Sequence, residues 1–479
     1  MNILRRKDLS KAVEDSQAKG KKLARQLGIV NLTALGIGAI IGSGIFVLTG
    51  VVAANYTGPG IVISFLISGI GAGLAALVYA EMASAIPVSG SAYSYSYVTL
   101  GEIVAWIIGW NLVLEYAVAA GAVAVGWSAY FASLVQVLGL QIPKWLSSSP
   151  LEGGLINLPA TLITLAITSL LIRGIKGSTL LNSVVVVIKL AVILLFILVG
   201  VSLVKPVNWS PFLPYGFMGT VQGAALIFFA YIGFDAVSTA AEEVKKPRRD
   251  LPIGIILSLL VSTVLYIAVG LILTGIVPYR QLNTAAPVAK ALMSGGLRWG
   301  SLVVSVGALA GLTSVLLATT FAQSRIFFAM ARDGLIPGSL ARLHPRFQTP
   351  YLITAAVGLF VALIASFLPV RTLAQMANIG TLSAFFATSV GVLALERRVP
   401  PESLPFRVPF SPYLPVASAL FSLYLALNLP PVTWIRFGVW IVIGLVIYFF
   451  YGYRNSTVNK DPGRLQPAAL QPAFKKRRE

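Results

Sequence analysis

Cysteine is absent from this 479-residue sequence, and histidine occurs once, as His344. Disulfide bonds, thiol catalysis and cysteine-ligated metals are therefore excluded, and a single histidine provides no cluster for a metal site or a catalytic triad. Charged residues are also scarce, at 11% against roughly 25% in soluble domains. A soluble fold of this length could not cover its surface with so few charges, which excludes a water-soluble enzyme. We expect neither a cofactor nor a metal.

Hydrophobic residues, in contrast, make up 57% of the chain, and they occur in long runs such as 180–203 and 253–276. Runs of about 20 residues match the roughly 30 Å hydrocarbon core of a bilayer. The pattern predicts an all-α polytopic membrane protein with 12 transmembrane helices. The predicted spans are 31–54, 60–86, 100–137, 156–173, 182–204, 218–241, 253–277, 300–328, 351–369, 373–395, 411–428 and 433–452. The third is too long for one straight crossing, so we expect it to tilt or to extend beyond the bilayer.

Lysine and arginine together number 36 against 16 acidic residues, which gives a formal net charge of +20. In a soluble protein this excess would suggest a nucleic-acid partner, but the cytoplasmic loops of membrane proteins also collect Lys and Arg. Between the predicted spans, 28 of the 36 lie on the side of the N-terminus and seven on the other side. This bias predicts a multi-pass protein of the cell membrane with both termini in the cytoplasm and no nucleic-acid partner.

Two predicted spans contain sequences that are unusual for a membrane helix. Span 1 contains GIGAIIGSGIF at 36–46, and span 6 contains FFAYIGFD at 228–235. One interpretation of the first run is close helix packing through the small-xxx-small pair Gly38 and Gly42. The alternative is a discontinuous helix, since glycine tolerates unwound backbone. The free amides of such a break attract an anion and its free carbonyls attract a cation, so the two charges of an amino acid fit there.

The two candidate breaks lie five spans apart, and this spacing predicts an internal repeat. Because five is odd, copies that begin at spans 1 and 6 would have opposite orientations in the membrane. That is the inverted-repeat plan of many secondary transporters, with the substrate at the broken helices. We therefore predict repeats at 29–204 and 218–395, with two further helices at 411–452. The transporter domain is then 29–452, between basic cytoplasmic segments at 1–28 and 453–479.

Four ordered motifs give the chain a resemblance to a known family. They are GIGAIIGSGIFVLTG at 36–50, PVSGSAYSYSY at 87–97, GFDAVSTAAEEVKKPRRDLPIGI at 233–255 and ARDGLIP at 331–337. The chain resembles the amino acid–polyamine–organocation superfamily, in particular its cationic amino acid transporter branch and the bacterial relatives of that branch. The resemblance implies a five-plus-five inverted-repeat fold with broken helices 1 and 6 and amino acids as substrates.

The predicted substrate site lies at these breaks. Ser43 and Gly44 are expected to hold the substrate carboxylate through backbone amides and one hydroxyl. Phe229 matches the aromatic gate of the family, and Thr319 of span 8 faces the same cavity by resemblance. A threonine at 319 leaves room for a longer side chain, which modestly favours cationic substrates. The remaining residues predicted to line the site are Ile40, Ile41, Gly42, Ala230 and Ile232.

Three of the ionisable residues inside predicted spans are candidates for a function, because a charge costs about 3 kcal/mol at the bilayer centre. Lys189 either snorkels to the membrane surface or places its amine in the interior, where the resemblance implies that it replaces a sodium ion and binds a proton. Glu115 is either a buried acid satisfied by neighbouring groups or, as the resemblance suggests, a residue that meets the substrate amine or carries a proton. Asp235 is expected to cap the second half of span 6.

The sequence thus predicts a permease that imports amino acids, cationic or small and neutral, by proton symport with alternating access. No sodium site is expected. A sodium-independent exchanger or facilitator is the alternative, because coupling is not readable from residue patterns. A membrane-bound enzyme or receptor is a distant third, since no catalytic cluster is present and the span count differs from seven.

Overall fold

The computed structural model describes residues 4–8, 27–86, 90–174, 179–235, 237, 244–347, 349–400 and 404–460. Most of the predicted N-terminal segment 1–28 and most of the predicted tail 453–479 lie outside the described residues. Within the described part, the secondary structure is helical, and its only β-type contacts are isolated bridges. The helices of eight or more residues are α1 (Ile29–Ile40), α2 (Ile61–Ala85), α3 (Ser91–Thr99), α4 (Glu102–Val137), α5 (Leu158–Ile172), α6 (Thr179–Val201), α7 (Gly216–Ile227), α8 (Pro247–Ile276), α9 (Pro287–Ser294), α10 (Arg298–Arg332), α11 (Tyr351–Phe367), α12 (Val370–Glu396), α13 (Tyr413–Leu427) and α14 (Pro431–Ile447).

The apolar helices confirm a polytopic helical membrane protein. Seven helical stretches in the described part are long and apolar enough to cross a bilayer, and five shorter apolar helices contain 10–17 residues. The predicted first and second spans meet at the 3-10 turn Gly58–Gly60, where Gly58 has φ +59° and interrupts the helical backbone. The count of 12 crossings and the inverted repeat stay predictions.

Proline and asparagine explain where several of these helices begin. Pro159, Pro287 and Pro431 lie in the first turns of α5, α9 and α14, where a missing amide hydrogen costs nothing. Asn157 caps α5 because its side chain accepts a hydrogen bond from the Ala160 amide at 3.3 Å. The local sequence therefore sets helix starts independently of the packing.

Helix α4 forms the centre of the molecule. It contains 36 residues, so it is about 54 Å long at about 1.5 Å per residue, as the unusually long third span predicted. Its apolar window is 78% buried, against 17% for the last membrane-length stretch, Pro431–Asn455. Glycine and alanine along α4 let neighbouring helices approach closely, and the candidate site lies beside this helix.

The end of the molecule nearest the N-terminus is closed by buried ion pairs. Arg5 binds Glu102 at the start of α4 with a 2.8 Å ion pair, and Lys7 binds Asp333 after α10 at 3.1 Å. Burial first, and the Glu102 carboxylate second, raise the pKa of Tyr97 well above its usual value. The phenol therefore keeps its proton and donates to Glu102 at 2.9 Å. Segment 4–8 thus joins α3, α4 and α10 at this end.

Candidate functional site at two broken helices

The first predicted break is present in the structure. Helix α1 ends at Ile40, Ile41 is extended with φ −75° and ψ 100°, and helical structure resumes at Gly44. The hydroxyl of Ser43 is buried and has no hydrogen-bond partner. A helix that begins at Gly44 leaves its first amides without intrahelical acceptors. The interpretation as a continuous, merely close-packed helix is therefore wrong.

The second break follows α7, which ends at Ile227. A 3-10 turn covers Phe228–Tyr231, and Ile232 is extended with ψ 135°. Gly233 has φ +115°, a conformation that glycine adopts without steric cost. Unwound backbone therefore lies in predicted span 6, where the FFAYIGFD run predicted it.

The two breaks are in direct contact with each other. A Cβ atom built on Gly44 would lie 2.3 Å from the Cα atom of Ala230, and one built on Gly233 would lie 2.7 Å from the Ala39 carbonyl oxygen. At both positions an added Cβ would clash with backbone atoms, and backbone cannot move aside as a flexible side chain can. Glycine at 44 and 233 is therefore required for the two unwound segments to cross.

Lys189 stabilises the first break from α6. Its side chain is fully buried, and its Nζ donates to the Gly38 carbonyl at 2.9 Å. This carbonyl lies in the last turn of α1, where helix carbonyls lack intrahelical donors. The aliphatic stem crosses Gly311 of α10, because a Cβ at 311 would lie 3.0 Å from the lysine Cγ and Cε atoms. The snorkelling interpretation of Lys189 is therefore wrong.

Tyr266 of α8 connects the two breaks, and sequence analysis missed it. Its hydroxyl lies 2.9 Å from the Ile40 carbonyl oxygen and 2.8 Å from the Ala230 carbonyl oxygen. A hydroxyl has one hydrogen to donate, so it serves one carbonyl at a time. The only signal in the sequence was a single tyrosine in the middle of the apolar run 253–276. The structure shows that this side chain is fully buried.

Neutral side chains satisfy carbonyls in the last turn of α7, just before the second break. The Asn378 amide on α12 donates to Ala225 at 2.9 Å and to Leu226 at 2.8 Å. Ser68 on α2 donates to the Ala224 carbonyl at 2.8 Å. These two polar residues were also missed, because single Asn and Ser residues in apolar helices carry no distinctive spacing.

The two predicted carboxylates are both buried. Glu115 is buried against Gly380 of α12, and one of its carboxylate oxygens has no hydrogen-bond partner. Asp235 accepts a hydrogen bond from the Tyr116 hydroxyl at 3.1 Å. The capping role of Asp235 stays a prediction, because residues 236 and 238–243, which would follow it in the helix, lie outside the described part.

The other predicted lining residues occupy the expected helices. Val315 of α10 packs on the first break, since a Cβ at Gly42 would lie 3.3 Å from its Cγ2 atom. Thr319 lies one turn further along the same face, and its hydroxyl donates back to the Val315 carbonyl at 2.8 Å. Phe229 is buried. Of the remaining members, Ile40, Ile41 and Ala230 are buried and Ile232 is half-buried.

A cavity of about 1480 Å³ opens at the end of α4 opposite the buried ion pairs. Val125 of α4 lines this cavity. The neighbouring Gly126 lies against the first break, because a Cβ there would be 3.8 Å from the Ser43 Cβ atom and 2.6 Å from Val47. The cavity therefore ends next to the broken helix. No group of three or more His, Cys, Asp or Glu residues that could hold a metal occurs in the described part of the chain.

Comparisons with known proteins identify the family of this chain. The amino acid permease family model matches residues 27–460. The chain is 51% identical to the methylthioribose transporter of Bacillus subtilis, with 93% of this chain and 97% of the relative covered. It is 49% identical to the branched-chain amino acid permease BcaP of the same organism, with 96% and 99% covered. It is 32% identical to the vacuolar cationic amino acid transporter 4 of Arabidopsis thaliana, with 96% of each covered. These relatives are transporters rather than enzymes, and the chain belongs to the amino acid permease family within the amino acid–polyamine–organocation superfamily.

Proposed function

We propose that this protein imports amino acids across the cell membrane by proton symport with alternating access. In this proposal the apolar helices form 12 crossings, five plus five in an inverted repeat, with both termini in the cytoplasm. The substrate carboxylate binds the amides and hydroxyl at 42–44, and its amino group binds the carbonyls of the second break. Helix-end amides suit an anion and helix-end carbonyls suit a cation.

The observation that carries the coupling proposal is the hydrogen bond from Lys189 to Gly38. An ammonium group at this carbonyl supplies the positive charge that sodium would otherwise supply. A charge-assisted hydrogen bond is roughly twice as strong as a neutral one, so protonation of the amine changes how firmly α1 is held at its break. Glu115 is a second carrier of protons in this proposal. An equilibrium between conformations responds to protons only if one conformation binds them better.

The test is uptake by the purified protein in liposomes. The substrates are leucine, alanine, lysine, arginine and methylthioribose, the last because a 51% identical relative is named for it. We expect uptake that is stimulated by an inward proton gradient and unaffected by sodium. Sodium-dependent uptake would contradict the proposal, and uptake that needs internal amino acid but no proton gradient would favour the exchanger.

Lys189→Met is the decisive variant, because it keeps most of the side-chain volume and removes the amine. We expect loss of accumulation against a gradient, whereas exchange at equal concentrations is retained in part. Lys205→Met is the matched control, since Lys205 is exposed and distant from the breaks in the sequence. Proton-driven accumulation by Lys189→Met at the rate of the control would overturn the coupling role of Lys189.

A further inference from the structure

The cavity at the open end of the molecule has a strongly one-sided charge. Its lining includes four cations and one carboxylate, namely Lys144, Lys290, Arg371, Arg436 and Glu152. All five side chains are exposed. The connections on this side of the predicted spans contain only seven Lys and Arg residues in all, so most of them surround the cavity. We call this cavity and its four cations the basic vestibule.

The cations of the basic vestibule are not neutralised by ion pairs. No ion pair found within the described ranges involves any of the four. Lys290 donates to the Gln281 carbonyl at 2.6 Å. Arg371 stacks 4.9 Å above the Tyr56 ring and donates to its hydroxyl. Glu152 accepts a hydrogen bond from Ser149 at 2.9 Å. Neutral partners therefore hold two of the cations in place and leave their charge uncompensated.

A cleft with charges of one sign and low-dielectric walls concentrates ligands of the opposite sign and excludes ligands of the same sign. The basic vestibule lies next to the first break, through Val125 and Gly126, so a solute that enters from this side passes through its field. A cationic amino acid carries a net positive charge and is repelled. A neutral amino acid carries none, and its carboxylate end is drawn in first.

We propose that the basic vestibule selects neutral substrates and excludes cationic amino acids. This inference rests on the proposed permease function and narrows its substrate class. It differs from the modest preference for cations that Thr319 suggested. That preference concerned the room beside Thr319 and not charge, whereas the vestibule carries an excess of positive charge.

The experiment compares KM and kcat/KM for leucine, alanine, lysine and arginine in proteoliposomes. We expect a higher kcat/KM for leucine and alanine in the unmodified protein. In a variant that combines Lys290→Gln, Arg371→Gln and Arg436→Gln, we expect the KM for lysine to fall about three- to tenfold, while the KM for leucine changes less than about twofold. The control combines Lys205→Gln and Arg298→Gln, which remove two exposed cations on the same side that do not line the cavity.

Ionic strength provides a test that needs no variant. Raising salt from about 20 mM to about 500 mM shortens the screening length severalfold, so the KM for lysine should fall in the unmodified protein and the KM for leucine should stay constant. A kcat/KM for lysine or arginine above that for leucine and alanine would leave the permease function standing and overturn this inference. So would a lysine KM that changes neither with salt nor in the combined variant. Absence of uptake for all four amino acids would overturn the proposed amino acid permease itself.

Discussion

The two broken helices are stabilised by different chemistry. At the first break, a buried lysine amine holds the Gly38 carbonyl. At the second break, the neutral amide of Asn378 holds two carbonyls, at Ala225 and Leu226. Both arrangements satisfy backbone oxygens that would otherwise cost several kcal/mol each in an apolar interior. Of the Lys189 amine and the Asn378 amide, only the amine can change its charge, so the contact at Gly38 can respond to protons and the contacts at Ala225 and Leu226 cannot.

The two breaks nevertheless act as one unit, because they share backbone contacts and one hydroxyl. Gly44 lies against Ala230, and Tyr266 reaches carbonyls of both segments. A change in the charge of Lys189 can therefore affect the second break through these contacts.

The largest expected effect is that of Gly44→Ala. The added Cβ would lie 2.3 Å from the Ala230 Cα atom, so the two breaks must move apart. This movement disrupts the proposed carboxylate site at 42–44. We expect uptake to fall below one tenth of that of the unmodified protein, about 1.4 kcal/mol or more. Gly73→Ala is the control, since a Cβ at 73 meets nothing within 4 Å. Equal uptake by the two variants would show that the breaks are not in functional contact.

Asn378→Ala should lower stability without altering the proton dependence. It leaves two buried carbonyls without donors, at about 1–3 kcal/mol each, and we expect a lower melting temperature in detergent. Uptake should fall by the same factor at every external pH, because the lost group is neutral. Asn428→Ala serves as control, since that amide bonds to Tyr424 of its own helix. A changed pH profile of uptake in Asn378→Ala would show that the second break also depends on protonation.

Tyr266→Phe removes the shared hydroxyl and retains the ring. One hydrogen bond of about 0.5–1.5 kcal/mol is lost, so we expect uptake to fall several-fold and melting to change little. The proton stimulation of uptake should weaken, because the hydroxyl that connects the two breaks is gone and only the glycine contacts remain. Thr274→Val is a suitable control on the same helix, as that hydroxyl bonds to Gly270 at 2.8 Å. Full proton stimulation of uptake in Tyr266→Phe would show that the glycine contacts alone connect the two breaks.

The smallest expected effect is that of Gly42→Ala. Its Cβ would lie 3.3 Å from the Val315 Cγ2 atom, and a valine rotamer gives way more easily than backbone. We expect a loss of uptake of about twofold or less, restored when Val315→Ala is added. A loss as large as that of Gly44→Ala would show that this glycine also supports a backbone contact.

Residue order alone predicted the helical membrane architecture and the positions of both breaks. Glycine at 36, 38, 42 and 44 and the Gly233–Asp235 sequence are local signals, since backbone freedom depends on the residue itself. The long α4 also followed from an uninterrupted apolar run. Membrane helices and helix breaks were therefore readable because apolar length and glycine content are properties of neighbouring residues.

The tertiary structure alone decided which side chains meet the breaks. Lys189 could have reached the membrane surface by its position in the sequence, but packing on Gly311 directs it to Gly38. Tyr266 and Asn378 gained their roles from helices that are far apart in sequence and adjacent in space. Likewise, the four cations of the basic vestibule come from four separate segments of the chain and form one electrostatic surface only after folding. Hydrogen bonds and charge interactions act over a few ångströms of space, so they depend on the distances between side chains in the folded chain and not on their separation in the sequence.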